Sequence, residues 1–399
     1  MKTAYRACAD ISLDALEYNI AQIRSKLEPD TRLMCVLKAN GYGHGSVVLA
    51  HELLEMGADS FAVATVEEGI ELRSNGIDAP ILILGYASRD QYPDVITNKL
   101  TMTVFSYATA KDLDVAANKL NMVADIDIKI DTGMSRIGFK VNEDSVKSIT
   151  MIDSLLKNVK IKGIFTHFSC ADCGEDDMTM RQADEFKRMI SLLEDRGIKI
   201  PCRHCSNSAS IMRYPQLQMD MVRAGIIIYG LYPSGEVDKS LLDLKPVMSL
   251  KSHIVYIKTL KANTPISYGA TYVCRRDSRI ATVSIGYADG YPRAMSNRGR
   301  VLINNNSYPI VGRICMDQLM VDITDAANEI KQGDEVILIG SQGAESISVE
   351  EVADQCGSFN YEFICNINRR VPRVYSRNGR VVEIINYLSH SSSSGKYIV

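Results

Sequence analysis

The sequence predicts an α/β protein, with an N-terminal (β/α)8 TIM-like barrel over 1–245 and a mainly antiparallel C-terminal β domain over 246–399. Three observations lead there. Eight short β-rich runs alternate with helical-period stretches up to Val222, the pattern of βαβ units around a parallel sheet. Beyond Pro246 the β-rich runs follow one another almost without helices, as antiparallel strands do. The chain has 399 residues, and at roughly 100 to 200 residues per domain that argues for more than one.

The eight barrel runs are 33–37, 60–64, 80–84, 102–105, 124–130, 162–166, 198–202 and 218–222. Amphipathic stretches at 45–56, 66–75 and 178–196 repeat apolar residues at i, i+3 and i+4, and 13–27 does the same ahead of the first run. In the second domain, strands are expected at 249–260, 280–287, 300–303, 308–314 and 335–339, and one helix at 348–357. Asn304, Asn305 and Asn306 read as a hairpin loop because Asn tolerates left-handed backbone. The serines at 391–394 read as a mobile tail.

Composition narrows the function. The net charge is −3, from 45 basic and 48 acidic residues, so no domain-wide basic field favours nucleic acid. The longest apolar runs, 79–84 and 224–229, are far short of the roughly 20 residues a membrane helix needs. Without an apolar signal core near the N-terminus, a cytoplasmic protein is expected. Ten scattered cysteines do not resemble a secreted disulfide framework, and reduced thiols are expected. Cys170/Cys173 and Cys202/Cys205 form two CxxC units near His167 and His204, a spacing that suits zinc as well as incidental cysteines; no metal is expected.

Barrel enzymes carry their chemistry at the C-terminal strand ends. Here those ends carry Lys38, then Lys129 and Asp131, His167, Ser206 and Arg223. A lysine closing an apolar strand is costly unless its amine is neutralised or paired, and a Schiff base with an aldehyde cofactor does so while supplying an electron sink. Ser206 and the Gly225-Ile226 helix start follow strands seven and eight, where barrels commonly bind phosphate.

Several motifs resemble the alanine racemase family: Val36-Leu-Lys-Ala-Asn-Gly-Tyr-Gly-His-Gly, Lys129-Ile-Asp-Thr-Gly-Met-Ser-Arg-Ile-Gly, Thr166-His-Phe, Val222-Arg-Ala-Gly-Ile, Ser267-Tyr-Gly-Ala-Thr-Tyr, Gly286-Tyr-Ala-Asp-Gly-Tyr-Pro-Arg, Gly312-Arg-Ile-Cys-Met-Asp-Gln and Tyr361 before Arg370-Val-Pro-Arg. Together they span nearly the whole chain. The resemblance implies interconversion of L- and D-alanine for cell-wall precursors, with Lys38 holding pyridoxal 5'-phosphate and acting as one base. Tyr268, from the partner subunit of a homodimer with shared sites, would be the other. A free tyrosine titrates at about 10, so this role needs a nearby cation or hydrogen-bond donor.

By the same resemblance, Tyr42, Ser206, Gly225, Ile226 and Tyr361 hold the phosphate, while His167 and Arg223 sit around the cofactor ring. Arg136 touches the cofactor oxygen and, with the Met316 amide, the substrate carboxylate. Lys129 is the position carbamylated in relatives, and Asp172, Tyr287, Arg293 and Arg313 match residues of the access channel. Gly41 stands where the family commonly has Ala, and Cys170 where Thr or Ser is frequent. Three other readings share the cofactor: a serine or broad-specificity racemase, a fold-related decarboxylase of diamino acids and a cofactor-binding protein without turnover. Tyr361 favours alanine over serine, and Tyr268 with the second domain favours racemase over the rest.

Overall fold

The computed structural model describes residues 5–174 and 176–389; the 391–394 serines lie outside that range. It divides into two compact units, one of residues 16–41 and 46–245, the other of residues 5–15, 42–45 and 246–389.

The first unit is a ring of eight parallel strands: Arg32–Val36, Ser60–Val63, Ile81–Ile83, Thr101–Val104, Ala124–Asp131, Val159–Phe165, Arg203–His204 and Met221–Ala224. The first seven pair in succession, and the eighth pairs with the first through Met221↔Arg32 to Ala224↔Cys35. The seam between the seventh and eighth carries no ladder; Asp220 N donates to Arg203 O at 3.1 Å and Arg223 N to Ser206 O at 3.0 Å. Helices Ser46–Glu55, Val66–Ser74, Tyr107–Lys119, Glu143–Leu155 and Asp177–Glu194 alternate with the strands. Buried Asn19 of the helix Leu13–Arg24 donates to Ile228 O and Lys245 O and accepts from Lys245 N, tying that helix to the chain after strand eight within the barrel unit.

Two strands differ from expectation. Strand seven, expected at 198–202, forms at Arg203–His204: Ile198 N still donates to Leu193 O in the tail of the preceding helix, and Pro201 has no N–H for a ladder. Strand eight begins at Met221 rather than 218. Gln218 spends its side chain on Glu28 N and Lys26 O, and Met219 has φ +51°, which breaks an extended run.

The second unit is built on a sheet whose long central strand is Met248–Leu260. Ala7–Ser12, placed with the barrel by the 1–245 boundary, lies in this sheet instead, antiparallel to Met248–Leu260 and parallel to Arg373–Arg377. Its alternation is the reason, since Ala7, Ala9 and Ile11 are buried on one face. Arg300–Ile303 and Asn306–Pro309 form the hairpin expected around Asn304 and Asn305, both at positive φ. The expected helix is Val349–Gln355, and Asn360–Cys365 is a second.

Between Val36 and Ser46 the backbone takes an uncommon path. Ala39, Asn40, Gly41, Tyr42 and Gly43 all have positive φ, a left-handed helical turn with Gly41 N donating to Leu37 O at 2.7 Å. Each L residue there costs about 1–2 kcal/mol. Ala39 N donates to Glu68 Oε1 at 2.6 Å, and Asn40 Oδ1 accepts from Ser46 N at 3.1 Å, so the turn is tied on both sides. Within the second unit, buried Arg373 donates to Gly43 O and to the carbonyls of Ile367, Asn368 and Val371, and Tyr375 Oη donates to His44 O.

Two glycines of this turn separate conformational from steric cost. A Cβ at Gly41 would meet only ordinary contacts with Leu49 and Ser46, so Gly41→Ala should lower the unfolding free energy by about 1 kcal/mol, the left-handed penalty alone. At Gly43 a Cβ would overlap the Ile364 carbonyl oxygen, so Gly43→Ala should cost clearly more. Urea titrations giving equal losses would remove the steric part of this account.

Candidate active site

The barrel's strand ends gather cations. Lys38 follows strand one at the start of the left-handed turn and is half-buried. Lys129 lies in strand five, buried, with Nζ donating to Ile130 O at 3.0 Å. Strand five alternates Asp125, Asp127, Lys129 and Asp131 with Ile126, Ile128 and Ile130, and both Asp127 and Lys129 are buried. Asp131 Oδ1 accepts from Gly133 N and Ser135 N, fixing the loop that carries exposed Arg136.

Arg223, in strand eight, organises the interior. Its NH1 donates to His204 Nδ1 at 3.0 Å and His204 O at 3.1 Å; its NH2 donates to Thr166 O at 2.8 Å and Cys205 O at 3.0 Å, with His167 Nδ1 at 3.4 Å. A guanidinium has five N–H donors and no acceptor, and Arg223 Nε–H meets no acceptor among the described residues. Because Arg223 only donates, His204 Nδ1 must accept; the ring proton is then on Nε2 and goes to Asp127 Oδ2 at 3.1 Å. His204 and Asp127 were not among the expected site residues.

Burial and charge set the protonation states. Burial, then the neighbouring Arg223, holds His204 at about 4 despite its bond to Asp127, so it is neutral at physiological pH. His167 is pushed well down by burial and by Arg223, Lys129, Arg136 and Lys38. Burial, Arg223 and Arg136 bring Lys129 down to about 7, against a small opposing pull from Asp131. Burial lowers Arg223 to about 10, which leaves it charged. Lys38, Lys129, Arg136 and Arg223 thus act on one imidazole. The structure does not join Lys129 to Arg136 by a hydrogen bond; the two repel.

Ser206 follows strand seven, fully buried, with Oγ donating to Leu217 O at 2.6 Å. Gly225 N donates to Ser208 Oγ at 2.9 Å, and Ile226 opens the short helical turn Ile226–Tyr229. Asp172 stands apart in the turn after strand six, its carbonyl accepting from Ser234 Oγ at 2.8 Å. Among the described residues no group of three His, Cys, Asp or Glu side chains comes together to hold a metal.

In the second unit, Tyr42 and Tyr361 meet edge to face with ring centroids 6.0 Å apart, and Phe359 stacks obliquely on Tyr361 at 5.5 Å. Tyr268 stands at the tip of a hairpin, Pro265–Ile266 paired with Tyr272–Val273, over a small core of Ile266, Cys274, Ile280, Val311 and Met320. Its loop is strained: Ser267 has φ +64° and ψ −175°, and Gly269 and Ala270 have φ of +69° and +47°. Three loops brace one another. Ser267 Oγ donates to Arg313 O at 2.6 Å, Gly312 N to Asn297 Oδ1, Ile314 N to Ser296 Oγ, and the amides of Tyr287 and Ala288 to Cys315 O and Met316 O. Tyr268, Met316 and Tyr287 are 69%, 52% and 42% exposed, Arg293 is exposed and Arg313 lies beside Gly269.

Family models for the alanine racemase N-terminal domain and C-terminal domain match residues 11–233 and 247–375. The alanine racemase of Clostridium novyi is 46% identical over 380 residues, 95% of this chain and 98% of that protein. The structure of the Clostridium difficile 630 alanine racemase superposes with a TM-score of 0.94 at 46% identity, covering 97% of this chain and all of that one. That of the Bartonella henselae alanine racemase, with covalently bound pyridoxal phosphate, does so with a TM-score of 0.80 at 28% identity, covering 93% of this chain and 100% of that one. The chain therefore belongs to the alanine racemase family of pyridoxal-phosphate-dependent isomerases.

Proposed function

We propose that the chain interconverts L- and D-alanine on pyridoxal 5'-phosphate held by Lys38, with Lys38 and the partner subunit's Tyr268 as opposed bases in a homodimer, and that D-alanine feeds cell-wall precursors. The observation that carries the reading is the cation cluster around His167, together with the Arg223 Nε–H that meets no acceptor among the described residues. This donor set fits an anionic cofactor with an aromatic nitrogen and a substrate carboxylate.

Bound there, the cofactor withdraws electrons from the substrate's α-carbon and lowers the cost of removing its proton. Lys38 Nζ takes or returns that proton on one face, and Tyr268 Oη of the partner subunit does so on the other. Removal from one face and return to the opposite one inverts the centre, and the reverse reaction exchanges the roles. Arg223 would donate a hydrogen bond to the ring nitrogen and keep its own proton, unlike a carboxylic acid. That would weaken the electron sink, favour prompt return of the proton and discourage side reactions. His167, held neutral, would sit beside the ring.

Tyr42, Ser206, Gly225, Ile226 and Tyr361 would hold the phosphate, Ser206 turning its hydroxyl from Leu217 O toward it. Arg136 and the Met316 amide of the partner subunit would fix the substrate carboxylate, and Asp172, Tyr287, Arg293 and Arg313 would line the approach. The exposed Tyr268, Tyr287 and Met316 on one braced loop cluster suit a surface that completes a second chain's site. Tyr361, confined by Tyr42 and Phe359, limits the pocket to a small side chain, though discrimination against one added hydroxyl is only on the order of a hundredfold.

Chiral chromatography after incubating the protein and cofactor with L-alanine should show D-alanine, and a smaller D-serine yield from L-serine. An amine product would indicate a decarboxylase instead, and no product a binding protein.

Lys38→Ala and Tyr268→Phe should each be inactive, the second keeping the visible absorbance of bound cofactor. Mixing them under subunit exchange should restore turnover, because a mixed dimer holds one site with both native bases. Failure to recover activity despite mixed dimers would show that Tyr268 does not act across subunits.

Carbon dioxide reacts with a neutral amine, so Lys129, lowered to about 7, should carry a carbamate increasingly as pH rises through about 7. Carbon-13 spectra with labelled bicarbonate should show that signal and lose it in Lys129→Ala; a signal that grows toward acid would contradict the assignment.

A further inference from the structure

The CxxC pair at Cys170 and Cys173 has no part in the proposed reaction, and its geometry is that of a thiol couple. Residues 170–173 form a β-turn closed by Cys173 N donating to Cys170 O at 3.1 Å. Such a turn brings its first and last Cα atoms within about 7 Å, overlapping the span a disulfide bridges. The neighbouring Cys170 thiol raises the Cys173 thiol. Ser169 Oγ donates to Gln182 Oε1 at 3.0 Å and lies 3.6 Å from Cys170 Sγ.

The turn is held from behind. Arg213 NH1 donates to Ala171 O at 3.0 Å and to Cys173 O, and Ser234 Oγ donates to Asp172 O. In front, both cysteines line an open cavity of about 530 Å³ with Gly174, Asp177, Met178, Arg181 and Glu236. Arg181 pairs there with Asp177 at 3.8 Å, and Glu236 spends one oxygen on Gly174 N at 2.7 Å.

We propose that Cys170 and Cys173 are a reversible redox site, closed to a disulfide by a hydroperoxide and reopened by a dithiol. Cys170 thiolate attacks the peroxide; an S–O bond forms, the O–O bond breaks, and the departing hydroxide leaves as water after taking a proton. Cys173 sulfur then attacks the resulting sulfenic acid, forming S–S and breaking S–O, and its proton leaves with the second hydroxide as water. Two thiols lose two electrons and the peroxide gains them. Burial and the neighbouring Cys170 thiol raise the Cys173 thiol to about 11, which disfavours Cys173 as the first nucleophile. Asp172 lies inside the turn, so closure fixes the backbone on which it stands.

The test treats reduced full-length enzyme with limiting hydrogen peroxide, followed by alkylation, digestion and mass spectrometry. The peptide holding 170–173 should become two hydrogens lighter and resist alkylation at both sulfurs before Cys365, the exposed cysteine, is oxidised, and dithiothreitol should restore it. In Cys173→Ser, Cys170 should be trapped by dimedone as a sulfenic acid; in Cys170→Ser, Cys173 should stay alkylatable. Oxidation of Cys365 first, an inter-chain bridge, no reaction, or Cys173 oxidising at an undiminished rate without Cys170 would overturn the proposal.

Discussion

A guanidinium buried inside the barrel governs the rest of the catalytic unit. A buried charge is tolerated only when its hydrogen-bonding groups are met, and Arg223 has four carbonyl or imidazole acceptors at 2.8–3.1 Å. All four acceptors come from the ends of strands six and seven, so its satisfaction also fastens the seam that lacks a ladder. Burial first, and then its charge, keeps His204 and His167 neutral and brings Lys129 toward neutrality. One residue thereby contributes to three protonation states, and lysine, with three donors on a flexible stem, would not reproduce the fork.

Strain is concentrated beside the residues assigned to chemistry. The left-handed turn begins immediately after Lys38, and the Ser267–Ala270 loop contains Tyr268. Neither conformation is a local preference of Ala39 or Ser267. Glu68 and Asn40 hold the first, and Arg313 O and the core beneath Ile266 hold the second. Gly41 relieves one left-handed position of that turn.

Much of this was legible because periodicity reports burial. The barrel runs and the change at Pro246 follow from which faces are covered, and strands five and six appear almost as expected. Strand seven shifted because Ile198 belongs to a helix tail that hydropathy cannot tell from a strand. Ala7–Ser12 is six residues long, and nothing local says which sheet will take it. Lys38, Lys129, His167 and Arg223 could be found at strand ends, whereas Asp127 and His204 required the hydrogen bonds. One signal was present: Asp127 and Lys129 alternate with isoleucines, an ionic inner face where barrels usually pack branched apolar residues. Arg373 gave less, since only the structure shows a buried cation caging four carbonyls.

The exposed loops of the second unit follow a different logic from the barrel interior. Burial fixes Arg223, but Tyr268 is 69% exposed and must be oriented without it. Orientation comes instead from side-chain and backbone hydrogen bonds that join three loops. Gly286 shows how closely they approach, since a Cβ there would overlap the carbonyl oxygens of Cys315 and Met316. A surface arranged this way loses little conformational entropy on docking, because its ordering is achieved during folding. In the proposed shared site, that would favour a phenol already positioned for proton transfer over one that must find its geometry with each encounter.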